Sequence, residues 1–204
     1  MTKLSPIGTD SPTGCAKPYA LIALGANLPS EGHSPAQTLE AALAALERDG
    51  FRSVSRSRWY RSAAYPPGSG PDFVNGAARL TCPDGATPET VLAALHRVER
   101  SLGRERRERW APRVCDLDLI AMGSALLPDR ETLERWMAIP PEEARRALPP
   151  TLLLPHPRLQ ERAFVLAPLA EIAGDWRHPL TGLSVAEMLS TLPAQALEGL
   201  APLE

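Results

Sequence analysis

The chain has 204 residues, with a hydrophobic fraction of 44%, a charged fraction of 23% and a formal net charge of −2. That is enough for one globular domain with a real core, and the charge gives no global drive toward nucleic acid or an anionic membrane. Three scattered cysteines without a C-x-x-C pair argue against a disulfide framework or a zinc site, and no apolar run approaches a membrane span. The cytoplasm is the expected location, and Cys15, Cys82 and Cys115 read as structural or incidental thiols.

Residues 1–17 are polar, rich in Gly, Pro, Ser and Thr, and aperiodic, as a flexible tail would be. One domain over 18–204 is expected to follow. Tyr19 to Leu24 is a short apolar run suited to a buried strand. Ser34-Pro35-Ala36-Gln37 then offers a capping box with proline at the first helical position, predicting a helix from Pro35 to Asp49 that Gly50 ends. Phe51 to Tyr60 alternates weakly and leads into a loop from Ser62 to Asp72. Phe73 to Thr81 alternates; as a strand it turns Val74, Ala78 and Leu80 to one face, Phe73 and Asn75 to the other.

A second helix is predicted from Thr87-Pro88 to about Leu102, with Val91, Leu95, Val98 and Leu102 as its apolar stripe and Gly103 as its stop. His96 and Glu99 share one of its faces. The stretch from Arg97 to Arg113 carries seven arginines against three glutamates, and a strand follows in which Asp116, Asp118 and Ile120 oppose Cys115, Leu117 and Leu119. Residues 129–150 read as a charged, proline-punctuated surface insertion with short helices near Glu131–Met137 and Glu142–Ala147. A Pro155-His156-Pro157-Arg158 element, an apolar helix near Arg162–Ala173 and an amphipathic segment from Ser184 to Leu192 complete the chain.

Two aspartates two residues apart on a strand project from one face, as hard-oxygen ligands for Mg²⁺ bridging a polyphosphate would. By pattern alone they read more readily as the wet face of an edge strand. Arginines beside the pair suit a phosphate clamp, because a planar guanidinium grips two oxygens at once. With Lys3 and Lys17 as the chain's lysines, surface solubility also accounts for part of that cluster. Phe73 and Asn75 together would stack on and hydrogen-bond a flat heterocycle, or simply pack the core. Three functions follow from these residues: phosphorus-group transfer from a nucleotide, phosphohydrolysis or nucleotidyl transfer by the same Asp pair, and nucleic-acid binding by the arginines. The last sits poorly with the net charge.

The order G-A-N (Gly25 to Asn27), Y-R-S (Tyr60 to Ser62), F-V-N (Phe73 to Asn75), E-x3-G-R-x-R (Glu99 to Arg106), R-W-x-P-R-x-x-D-L-D-L (Arg109 to Leu119), P-H-P-R (Pro155 to Arg158) and R-x-F-V-L-x-P-L (Arg162 to Leu169) closely resembles the 6-hydroxymethyl-7,8-dihydropterin pyrophosphokinases of folate biosynthesis. The resemblance runs from about Tyr19 to Trp176. It implies a ferredoxin-like α+β sandwich, largely antiparallel, and transfer of pyrophosphate from ATP to the pterin hydroxymethyl group with release of AMP. It further implies two Mg²⁺ ions on Asp116 and Asp118, and a pterin between Phe73 and Phe164, read by Asn75, Ser62 and the backbone near Ala63 and Tyr65. ATP would lie among His96, Glu99, Arg106, Trp110, Arg113, His156 and Arg162, with Arg104, Arg106, Trp110 and Arg113 as catalytic residues on or beside a closing loop. The implied partners are the two small substrates, with no nucleic acid, membrane or obligate protein. The chain departs from the family pattern at Ala26, Ser62, Ala63, Ala64, Phe73 and His96.

Overall fold

The computed structural model describes residues 18–203, apart from 31, 65–67, 69, 104–113 and 145–146. Strand β1 (Tyr19–Ala26) is an inner strand of the sheet, pairing antiparallel with both β4 (Phe73–Thr81) and β5 (Asp116–Met122). Beyond β4 lie β3 (Tyr60–Ser62) and β6 (Ala201–Pro202), while β2 (Arg52–Arg56) pairs with the far end of β4. The order β5-β1-β4-β3-β6 is antiparallel at every pairing. Helices cover both faces, making the α+β ferredoxin-like sandwich that the motif order implied.

One face carries α1 (Pro35–Arg48) and α2 (Pro88–Ser101). Both begin with reciprocal capping boxes, Ser34 with Gln37 and Thr87 with Thr90, and both have proline in the first turn, so the free N–H groups there are satisfied locally. Gly50 and Gly103 follow them at φ 91° and 87°, a left-handed conformation that a side chain disfavours. Between these helices and the sheet lies a continuous core of Ile22, Leu24, Leu39, Leu46, Leu80, Leu95 and their neighbours, with Cys82 and Cys115 buried in it.

The opposite face carries α5 (Ala163–Ala173) and α6 (Val185–Ser190), which follow α3 (Arg130–Ala138) and α4 (Pro141–Ala144) in the chain. Leu21, Ala23, Ala77 and Ile120 of the sheet meet Leu166, Leu169, Trp176 and Met188 there. The two cores interleave along each strand, Leu24 and Ala26 facing α1 and α2, Ala23 facing α5. The expected facing of β4 and β5 is observed, and β1 runs two residues beyond the expected strand. The predicted helix around residues 142–147 is, where described, the single turn Pro141–Ala144. Strand β6 was not foreseen, because two residues, one of them proline, have no readable periodicity. No helix among the described residues is long and apolar enough to cross a membrane.

Candidate active site

Register assembles the site. Asp116 is opposite Gly25, Gly25 is opposite Asn75, and Asn75 is opposite Tyr60, so a single row crosses four strands. Directly paired residues project to the same face, and this row faces α5. Gly25 contributes no side chain; a Cβ built there would lie 3.7 Å from Asn75 Oδ1. The result is a bare strip of backbone with a carboxylate on one side and an amide on the other, two strands or about 10 Å apart. Asp118 occupies the next equivalent row of β5, opposite Ala23. Asp116 and Asp118 are both half-buried, with their carboxylates on one side of the strand as the sequence pattern requires.

Asn75 is 4% exposed, and its Nδ2 donates to Ser62 Oγ at 3.0 Å. Ser62 is in turn opposite Phe73, whose ring lies on the same face as Asn75 and is half-buried. Phe73, Asn75 and Ser62 therefore form one cluster at the β3–β4 end, beside exposed Ala63. Tyr65 lies outside the described residues. Asn27, just after β1, donates from Nδ2 to the carbonyl of Pro71 at 3.1 Å, tying the segment before Phe73 to the end of β1.

Phe164 comes from the first turn of α5 and keeps 40% of its surface exposed, unusual for an aromatic on a helix that otherwise buries its apolar residues. Arg162, two residues before it, places Nη1 3.5 Å from Asp118 Oδ2, and its guanidinium carbon lies 5.9 Å from the Phe164 ring centroid. The structure thus brings Arg162 to Asp118, with Phe164 beside Arg162.

The outer edge of β5 is closed by two other predicted residues. Glu99, 1% exposed on α2, accepts the Leu117 N–H through Oε1 at 2.8 Å. His156 donates its backbone N–H to Ile120 O at 2.9 Å, at the point where the β1–β5 register steps from Ala121 to Leu119 and passes over Ile120. Its Nδ1 accepts the Arg158 N–H at 3.1 Å. Burial, with the cations of Arg162 and Arg158 beside it, pushes the imidazole down to about 3, so the ring is neutral at physiological pH. His96 is half-buried on α2, one turn before Glu99. Arg104, Arg106, Trp110 and Arg113 lie outside the described residues.

The sequence reading overlooked one polar cluster. Glu171 of α5 accepts Tyr60 OH at 2.6 Å and Arg58 Nε at 2.8 Å on Oε1, and the Arg58 backbone N–H at 2.9 Å on Oε2. The tyrosine of Y-R-S, followed later by a lone acidic residue on the apolar helix, was its visible signal. Among the described residues no group of three His, Cys, Asp or Glu side chains converges as a preformed metal cage. The Asp pair suits instead a hard cation that takes one or two carboxylates and completes its shell with phosphate oxygens and water.

The sequence profile of the 7,8-dihydro-6-hydroxymethylpterin-pyrophosphokinase (HPPK) family matches residues 21–174, from the third residue of β1 to the residue after α5. The chain is 36% identical over 204 residues to the 2-amino-4-hydroxy-6-hydroxymethyldihydropteridine pyrophosphokinase of Synechocystis, covering 99% of this chain and 88% of that one. It is 37% identical over 180 residues to the Pseudomonas aeruginosa protein of the same name, covering 88% and 94% respectively. A crystal structure of Plasmodium falciparum HPPK-DHPS superimposes with a TM-score of 0.58 at 11% identity, over 86% of this chain and 44% of that one, a likeness of fold. With a profile match over most of its length and relatives aligned nearly end to end, this chain belongs to the HPPK family and is a pyrophosphokinase of folate biosynthesis.

Proposed function

We propose that the chain transfers pyrophosphate from ATP to the hydroxymethyl group of 6-hydroxymethyl-7,8-dihydropterin, giving the pterin diphosphate and AMP, in a magnesium-dependent reaction in the cytoplasm. The observation that carries this reading is the row Asp116–Gly25–Asn75, with carboxylate and amide on one face and backbone alone between them. A flat heterocycle hydrogen-bonded to Asn75 and Ser62 would stack on Phe73 and Phe164, with its hydroxymethyl arm directed along the Gly25 strip toward the carboxylates. Asn75 and Ser62 are already hydrogen-bonded to each other, so the donors and acceptors that would read the pterin edge are held in place before it arrives.

Asp116 and Asp118 would hold two Mg²⁺ ions, which when bound neutralise phosphate charge and align the oxygens for in-line displacement. Arg162, beside Asp118, would hold the polyphosphate together with its neighbour His156 and with Arg113. His96 and Glu99 would face the nucleotide from α2, Glu99 chiefly by fixing the start of β5 through Leu117. Arg104, Arg106 and Trp110 would close over the ATP and exclude water, favouring transfer over hydrolysis. The pterin hydroxyl oxygen bonds to the β-phosphorus, the bridging α–β oxygen departs on AMP, and the hydroxyl proton is lost as the new bond forms. Position and charge supply the catalysis, and no strong side-chain base is needed. The partners are two small molecules; no nucleic acid, membrane or obligate protein enters the reaction.

Incubation with ATP, Mg²⁺ and the pterin, followed by separation of products, tests this reading. AMP and pterin diphosphate in equal amounts are expected. ADP as product, or ATP consumed equally fast without pterin, would contradict it, the second result favouring a phosphohydrolase built on the same carboxylates.

A further inference from the structure

Phe164 sits at the start of α5, and one bond that would normally fasten that turn is absent: Pro168 has no N–H to donate to the Phe164 carbonyl four residues earlier. Phe164 is also largely outside the core that α5 makes through Val165, Leu166 and Leu169. The rotation of α5 about its own axis must then be fixed elsewhere for the ring to keep its place. Glu171 is seven residues on, two helical turns, and so on the same side of the helix as Phe164. Its carboxylate takes four contacts from the β3 side: Tyr60 OH, the Arg58 backbone N–H, Arg58 Nε and Arg58 Nη2 at 2.7 Å.

Tyr60 is 8% exposed, lies opposite Asn75 and is two residues from Ser62 on the same strand face. The carboxylate therefore joins the helix that carries Phe164 to the strand that carries Ser62. The backbone N–H contact makes this join independent of side-chain rotamers on β3. Partial burial pulls the Glu171 carboxyl upward, but the Tyr60 hydroxyl and the Arg58 guanidinium and N–H outweigh it and hold it below the usual carboxylate range. It stays ionised wherever the protein is folded near neutrality.

The geometry points to Glu171 as a positioning residue that sets the width of the pterin slot, by locking α5 against β3 through Arg58 and Tyr60. This inference rests on the pterin lying between Phe73 and Phe164. Glu171 touches neither substrate; it acts through the rotation of α5 and the placement of β3.

The test is steady-state kinetics of Glu171→Gln and Tyr60→Phe beside the wild type, with KM measured separately for pterin and for ATP. Glu171→Gln keeps the side-chain size but loses the charge that gathers the donors, and its pterin KM is expected to rise about tenfold while ATP KM stays within about twofold. Tyr60→Phe removes one of the four contacts and should raise pterin KM about threefold, again without moving ATP KM. A contribution to folding alone would lower the active fraction, and so the apparent kcat, with both KM values unchanged. Unchanged pterin KM in both variants, or equal rises for pterin and ATP, would overturn the assignment. Should Glu171→Gln fail to fold, Tyr60→Phe decides on the same criterion. Wild-type protein that does not turn over the pterin refutes the transfer reading and the slot with it, whereas active wild type with unmoved variants refutes only the role of Glu171.

Discussion

The two faces of the sheet are built from the same strands, yet they do different work. Toward α1 and α2 the residues of β1, β4 and β5 are apolar and, Val74 apart, buried, and the helices are capped at both ends. Toward α5 the apolar contacts stop partway, and the rows that remain carry Asp116, Asp118, Asn75, Tyr60 and Ser62 around a glycine. A period of two separates these roles by a single residue: Leu117 between Asp116 and Asp118, Leu24 beside Gly25, Val74 beside Asn75. Concentrating stability on one face frees the other to keep half-buried charges and an exposed aromatic, which cost stability and in the proposed reading serve binding.

The contrast can be broken in several places. Leu95→Ala, fully buried against the sheet on the α2 side, should cost about 2–5 kcal/mol by cavity formation, with kcat and both KM values of the folded fraction unchanged. Urea unfolding read beside kinetics checks this. A shift in pterin KM would mean that the two faces are coupled.

His178 is the stability-bearing exception on the α5 and α6 side. It is 0% exposed, and Nδ1 accepts the Leu180 and Thr181 N–H groups, so protonating that nitrogen would break both bonds. Burial lowers it from 6.5 to about 4. The unfolded chain binds a proton below pH 6.5 that the folded chain refuses, so stability is complete above pH 6.5 and falls as pH drops toward 4. The loss over that window is about 3 kcal/mol, and His178→Gln should flatten this part of the pH profile of the unfolding midpoint.

Gly76→Ala should cost about 1–3 kcal/mol, because a Cβ there would lie 2.4 Å from Cζ3 of the Trp59 ring. Calorimetry should record the loss. Asn75 next to it faces the other way, so pterin KM of the folded fraction should stay put.

Much of this was legible in the residues. Helices α1 and α2 announced themselves through caps, prolines and stop glycines, and Asp116 and Asp118 through simple alternation. The Asp116–Gly25–Asn75 row was not legible, since register between strands far apart in the chain depends on tertiary pairing that no local pattern encodes. The same reason hid Glu171, which meets Arg58 across 113 residues of chain. Phe73, Asn75, Ser62 and Phe164 were singled out because their motifs accompany one another in a family, and the structure clusters the first three. Glu99 was expected at the nucleotide; the structure shows it fastening β5 through the Leu117 N–H.

The central claim is that the carboxylate end and the amide end of one sheet row bind different halves of a two-substrate site. Calorimetric titration of a non-hydrolysable ATP analogue with Mg²⁺, and then of pterin, into wild type, Asp116→Ala and Asn75→Ala tests it most directly. The account predicts that Asp116→Ala loses Mg²⁺-dependent nucleotide binding, that Asn75→Ala keeps it while losing pterin binding, and that both variants unfold at the wild-type midpoint within about 1 kcal/mol. Folded variants that each retain both ligands, or that each lose both, would contradict it.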